Sequence, residues 1–394
     1  MKPAPFICIP FALAALVSCK GDTAMPSADS GTDLPPDAAP SPIAVRNPCE
    51  EGCVVDSIAG TGVPGFRDGP VSGARLHRPI SIAIGNDGTI YIADQRNHRI
   101  RALMPDGGAL VTLAGTGESG YADGEGDQAQ FWNPRGLAIA SDGALLVADS
   151  SNHRIRRIEN GVVTTIAGSG PIGAFSGGHV DGDIAGARFF LPTGVAEDSD
   201  GRIWIADAEN HAVRVIEDGQ VSTFGVPRQE GYSDGQAASS HFSLPSDLAI
   251  GVDDSVYVAD WGNHRIRRIS PDGTVSTFAG SGVTGIENLG GYVDGPASSA
   301  EFAGPWGVDT DAVGRLYVAD SRNHRIRVVL PSPDGPVVAT MAGSGDVGFD
   351  AGGWLDGDAS ESQFNLARGL AVPSDGTVYV AGYEGQRVRR IRTP

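Results

Sequence analysis

Thiols are scarce in this 394-residue chain: four cysteines, at positions 8, 19, 49 and 53, and none after them. The body of the polypeptide therefore has no thiolates with which to build a zinc site or a cysteine nucleophile. A basic excess is missing too, since 29 Lys and Arg face 48 Asp and Glu for a net charge of -19. Phosphate-binding surfaces need clustered positive charge, whereas these arginines fall in one small group per repeat. The balance argues against nucleic acid as a partner and fits a soluble protein that avoids anionic surfaces. Long apolar runs are absent after residue 17, and helical periodicity is absent apart from room for a single turn in each repeat. Strands and turns are what is left.

The one apolar run, Phe6 to Val17 behind Lys2, is too short to span a membrane and has the length of a signal-peptide core. It ends in Leu16-Val17-Ser18-Cys19, which resembles a bacterial lipobox with Cys19 as the lipidated residue. Residues 1–18 are thus expected to be a signal peptide and residues 19–48, rich in Pro, Asp, Ser and Ala, a disordered tether behind the lipidated Cys. Membrane attachment would be through lipid only. The expected location is the bacterial cell envelope, periplasm-facing or on the outer membrane surface, and Lys20 in place of Asp is compatible with outer-membrane sorting. Cys49 and Cys53, four apart in an exported chain, are read as a small disulfide ahead of a metal site.

From residue 49 to 394 one segment is written six times. The Asp of an Asp-Gly pair precedes a large apolar residue by 8 positions in every copy: Asp68 to Leu76, Asp123 to Phe131, Asp181 to Phe189, Asp234 to Phe242, Asp294 to Phe302 and Asp356 to Phe364. The same Asp precedes the end of a Val-Ala-Asp triplet by 26, at Asp94, Asp149, Asp207, Asp260, Asp320 and Gly382. Between copies the spacing wanders over 55, 58, 53, 60 and 62 residues. Rigid units joined by elastic turns signify a repeat architecture whose copies must stack. Each copy reads as four short strands with turn signals such as Asp142-Gly143 and Asn160-Gly161 between them. The fold class is therefore all-β, a six-bladed β-propeller of four-stranded antiparallel blades. The sixth copy supplies three strands, and Val54 to Ala59 matches the missing fourth, so the N-terminal strand is expected to close blade six.

Pro-x-Gly-Leu/Val-Ala, the Val-Ala-Asp triplet and Asn-His-Arg-Ile-Arg, as in Val258-Ala259-Asp260-Trp261-Gly262-Asn263-His264-Arg265-Ile266-Arg267, identify residues 54 to 394 as similar to the NHL-repeat β-propellers of a long-repeat bacterial type. Copy three departs with Ala212 for the first Arg, and copy six with Gly382, Gly385 and Gln386 for Asp, Asn and His. The family includes protein-binding, RNA-binding and enzymatic members, so the resemblance specifies fold and leaves function open.

Most repeated polar residues read as architecture. His98, His153, His211, His264 and His324 recur once per blade and cannot converge on one ion. The triplet Asp residues, five positions before Arg99, Arg154, Arg265 and Arg325, are expected to cap the following turn through backbone amides and to pair with Arg. Gly-x-Gly-x-x-Gly matches at Gly60, Gly115, Gly168, Gly280 and Gly343 open no helix and are turns. No cofactor is expected; calcium on the Asp-Gly carboxylates is the alternative to structural turns.

The loops from fourth to first strand run 18 to 24 residues, from Gly60 to Pro79 or Gly168 to Pro192, and put the variable material on one face. Reading the position after the Pro around the ring gives Ile80, Arg135, Thr193, Ser246, Trp306 and Arg368; the next position is Gly except at Ser81 and Asp247. The expected ligand site is the channel mouth on that face, with Arg135 and Arg368 for an anionic group, Trp306 as a stacking surface, Asp247 as an acceptor, and Thr193 and Ser246 beside them. The plainer reading is a channel plug. No catalytic residue is assigned. A binding or scaffold module for a protein or glycan partner in the envelope is favoured, and the alternative is a metal-dependent enzyme like the propeller lactonases or lyases, whose axial site needs converging carboxylates, Asn or His.

Overall fold

The computed structural model describes residues 46–282, 289–345 and 352–393. Cys19, the signal segment and all but the last residues of the tether lie outside them. Six antiparallel sheets follow one another along the chain. In blade two the strands are Pro134–Ile139, Leu145–Asp149, Arg154–Glu159 and Val162–Ala167, from the axis outward. Leu145–Asp149 is buried at every position, the signature of a strand covered on both faces, and Leu145 to Ala148 accordingly read as an apolar run ahead of the Asp. Val162–Ala167, near the rim, is buried only at Val163 and Ala167.

Each blade has a fifth strand that the four-strand reading did not contain. It is two residues long and begins at the Gly of Asp-Gly, as in Gly124–Glu125 opposite Val162 and Val163. Those glycines have φ of +109° to +138°, closed to side chains, while a Cβ would meet nothing within 4 Å at five of them and only the Ser239 hydroxyl, at 3.3 Å, at Gly235. The glycine is therefore needed for its backbone angle and not for space. In these six copies Asp-Gly is a strand start with an aimed carboxylate, where the sequence suggested a structural turn.

Ring closure follows the expected route. Val54–Ala59 lies against Arg387–Arg392, with Val54 opposite Arg392 and Val55 opposite Ile391. A disulfide joins Cys49 to Cys53 just before that strand. Wedges hold the blades together: Phe131 packs with Ala93 and Ile100 of blade one and Leu137 and Val147 of blade two. Phe189, Phe242, Phe302 and Phe364 repeat the arrangement at the next four seams, and Leu76 fills the seam between blades six and one. Truncating such a side chain to alanine costs about 3–5 kcal/mol, which explains the invariant spacing of 8 residues from the Asp.

Candidate functional site

The repeated charges are engaged with one another. In blade one Arg101 is fully buried between two carboxylates, donating Nη1 to Asp94 Oδ2 at 2.6 Å and Nη2 to Asp68 Oδ1 at 2.5 Å. Its other donors reach Asp68 through Nε and the carbonyls of Arg67 and Arg75, so all five N–H groups are used. Burying an ion pair is tolerable on those terms. Arg156, Arg214, Arg267 and Arg327 repeat the bridge between the triplet Asp and the Asp of Asp-Gly. This corrects two expectations. The triplet Asp pairs with the arginine seven residues on, not the one five residues on, and it makes no side-chain cap on the following turn; its Oδ1 accepts an N–H from the long loop instead, His77 in blade one and Trp132 in blade two. The Asp-Gly carboxylates, each turned onto its own arginine, form no oxygen cage for calcium, and among the described residues no three His, Cys, Asp or Glu side chains gather as a metal set.

The first arginine of each group lies under an exposed ring that sequence reading passed over. Phe66, Tyr121, Tyr232, Tyr292 and Trp354 cover Arg99, Arg154, Arg265, Arg325 and Arg387 at 3.8 to 4.4 Å from guanidinium carbon to ring centroid. The legible signal was a Phe, Tyr or Trp two residues before five of the six Asp-Gly pairs. Blade three, which has Ala212 for this arginine, has His179 for the aromatic, so the two members change together within one chain.

The turn histidines are staples between blades. Each sits at φ 51–57°, and Nδ1 of His98, His153, His211, His264 and His324 accepts the N–H of Asn133, Leu191, Leu244, Gly304 and Leu366 in the next blade at 2.9 to 3.2 Å. Accepting there requires a neutral ring, and burial lowers the pKa of His98, His153 and His211. In blade six Gln386 takes the part, its Oε1 accepting the Arg78 N–H at 2.6 Å. The acceptors hold the residue before each inner strand in the left-handed region, Leu191, Leu244 and Leu366 included.

Immediately after those residues the inner strands bulge. Register shifts fall between Pro79 and Ser81, Pro134 and Gly136, Pro192 and Gly194, Pro245 and Asp247, Pro305 and Val308, and Ala367 and Leu370. The extra residue is the one proposed from sequence to ring the mouth, and a bulge re-aims its side chain. The six then part ways. Thr193 and Ser246 are buried and donate to backbone carbonyls of the following blade, Thr193 to Pro245 at 3.1 Å and Ser246 to Trp306 at 2.8 Å, so their hydroxyls stitch neighbouring blades together. Ile80 is buried. Arg135, Trp306 and Arg368 remain half-buried at the mouth. Arg368 lies between the rings of Trp306 and Tyr383, 3.9 and 3.6 Å from their centroids, so the Trp306 face expected to stack on a ligand is stacked on an arginine. Burial first, then the nearby charge of Arg135 among other groups, brings the pKa of Arg368 down to about 10. The Nε atoms of Arg135 and Arg368 are buried without an acceptor.

Asp247 does not belong with them. One residue along the strand from Ser246, it lines an axial cavity of about 570 Å³ that reaches Gly85, Asn86, Pro373 and Ser374 among the short hairpins of the opposite face. None of the six mouth residues borders that cavity. Asp309 lies in it too. Asp247 accepts the Val308 N–H at 3.4 Å and Asp309 the Val372 N–H at 2.7 Å, each from the next blade. Ser81 does the same for Leu137. Where the other blades have Gly, the backbones touch: a Cβ on Gly307 would fall 1.9 Å from the Arg368 carbonyl oxygen. Ser81 and Asp247 thus have architectural work that the sequence reading did not grant them. Burial pushes Asp247 up to about 8 and Asp309 up to about 7.

A family model described as NHL repeat matches residues 76–103, 131–158, 191–216, 242–269 and 302–329, each stretch running from about the wedge residue to the third strand. Relatives include an NHL repeat-containing protein 2 of Gallus gallus, 30% identical over 328 residues, covering 76% of this chain and 44% of that protein. Another is the chloroplastic protein SUPPRESSOR OF QUENCHING 1 of Arabidopsis thaliana, 31% identical over 317 residues, with coverage of 77% and 29%. The chain thus spans less than half the length of these curated relatives. Among solved structures, an auxiliary nutrient binding protein of Bacteroides thetaiotaomicron superposes with a TM-score of 0.63 at 15% identity, over 86% of this chain and 76% of that one. At that identity the likeness is one of fold.

Proposed function

We propose that this chain, an NHL-repeat β-propeller, is a binding module of the cell envelope, lipid-anchored at Cys19 and presenting its long-loop face to a protein or glycan partner from the end of the 19–48 tether. The observation that carries the reading is the pair Arg135 and Arg368. Their guanidiniums stand at the centre of the elaborated face with no carboxylate paired to them among the described residues, whereas the buried arginines of the five triads each face two carboxylates. Loops carried by a rigid scaffold are where recognition residues collect. Capture from envelope extract by the intact protein, compared with Arg135→Gln/Arg368→Gln, tests the reading: a partner held equally by both proteins refutes it. Cys19→Ala tests the anchor, with release into the soluble fraction as the expected result.

The cavity at the opposite face favours a second reading, an enzyme using Asp247 and Asp309, whose raised pKa values suit proton transfer near neutrality. Two carboxylates fall short of the set that holds a catalytic metal in a propeller, which ranks this reading second. Lactone turnover abolished by Asp309→Asn would reverse the order.

A further inference from the structure

Around the mouth the second positions of the inner strands, each after a Pro except in blade six where Ala367 precedes, run Trp306, Arg368, Ile80, Arg135, so two guanidiniums flank one buried apolar side chain. Both faces of the Arg368 guanidinium are covered by rings, leaving its edge to meet a ligand. Neither arginine has a hydrogen-bond acceptor or an ion-pair partner among the described residues. Two like charges are therefore held together, half-buried and with no carboxylate in contact, an arrangement that an arriving anion relieves.

The surroundings limit what that anion is. Glu384 stands nearby, paired with Arg78 at 2.8 Å, Glu209 is within electrostatic reach of Arg135, and the whole chain carries -19. A polyanion meets repulsion from this field, while one carboxylate is matched by two planar guanidinium forks. Beside the pair lies half-buried ring surface, Trp306 with Trp261 edge-on to it at 6.2 Å between centroids. Apolar ring surface with a few fixed polar groups is the composition of a small-ligand site.

We infer that the mouth on the long-loop face takes the end of a glycan bearing a single carboxylate, a terminal sugar of the uronic-acid class, with its carboxylate between Arg135 and Arg368 over Ile80 and its ring against the Trp306 and Trp261 edge. The inference rests on the reading of this face as the binding surface.

Calorimetric titration of the full chain in detergent tests it, with four probes: a glucuronate-terminated disaccharide, the same disaccharide ending in glucose, a short peptide with a free C-terminal carboxylate, and a polysulfated glycan. The glucuronate probe binds, and the other three bind at least tenfold more weakly. Arg135→Gln and Arg368→Gln, each melting as the parent does, weaken glucuronate binding tenfold or more. Should either fail to fold, Arg135→Lys and Arg368→Lys keep the charge and lose the fork, and weaken binding severalfold. Equal binding of the glucose and glucuronate probes, stronger binding of the peptide or the polyanion, or folded variants that bind like the parent overturns the inference. An envelope partner captured by the parent and lost by the double Gln variant, with no uronate binding, overturns the sugar class and leaves the binding-face reading standing; loss of both overturns both.

Discussion

Asp247→Asn should stabilise the protein, and by more as the pH rises. The carboxylate sits in the axial cavity, facing the backbone N–H groups of Val308, at 3.4 Å, and Leu248, with Asp309 as a like-charged neighbour. Burial, first among the causes, pushes it up to about 8, against about 3.9 in an unfolded chain. The folded state therefore holds a proton that the unfolded state has released across the window from about pH 4 to about pH 8. Stability falls as pH climbs through that window, with no further loss above it. Four units at about 1.36 kcal/mol each set a ceiling near 5 kcal/mol; Asp247 is partly exposed to a cavity wide enough for water, so about 1–3 kcal/mol is the working figure. Asparagine keeps the shape and the acceptor for the Val308 N–H and cannot ionise. Melting of parent and variant from pH 4 to pH 9 should show a difference near zero at the acid end, growing to a plateau of a few degrees above pH 8. His98, His153 and His211, whose lowered pKa values make stability fall toward acid, act equally in both proteins and cancel in the difference. A variant that melts lower at pH 8, or a difference that does not change with pH, would refute the placement of an uncompensated carboxylate on the axis.

Asp149→Ala should cost about 3–5 kcal/mol in urea unfolding, since it leaves the buried Arg156 without one of its two carboxylates, whereas Asp123→Ala, at the exposed end of the same triad, should cost about 1 kcal/mol; equal costs would contradict the burial difference. The double variant His179→Tyr/Ala212→Arg installs in blade three the ring-on-guanidinium clasp of the other blades, and a double-mutant cycle should return a favourable coupling of about 0.5–1 kcal/mol; additivity would mean that the clasp contributes nothing. Removing Val54–Ala59 should lower the melting temperature and broaden the transition, because both blade six and the seam with blade one lose their edge; an unaltered melt would refute closure by that strand.

The ring was legible because wedge and triplet ride at fixed offsets from Asp-Gly, and a packed seam tolerates no insertion between Phe131 and Asp149. Closure was legible from a strand without a blade and a blade without a strand. What stayed hidden depends on side-chain direction, which a strand reverses at each residue. Arg99 and Arg101 are interchangeable by composition, yet one lies under Phe66 at the rim and the other between two aspartates. Ser246 and Asp247 are neighbours in sequence, but the bulge at Ser246 turns it into the next blade and leaves Asp247 in the cavity that reaches the other face. Arg135 and Arg368 could be singled out as unlike their counterparts; that they lack carboxylates is a property of the assembled ring.

The pairing of Val54 with Arg392 also makes the order of the blades in the gene a matter of convention. A peptide link from the final strand to the opening one, with a new start and stop cut into the exposed hairpin at Asp218-Gly219, would move the clasp to another blade while keeping every seam. Such a permuted chain would begin and end on the hairpin side of the disc, so that a segment fused to its start would leave from that side while the six seams stay as they are.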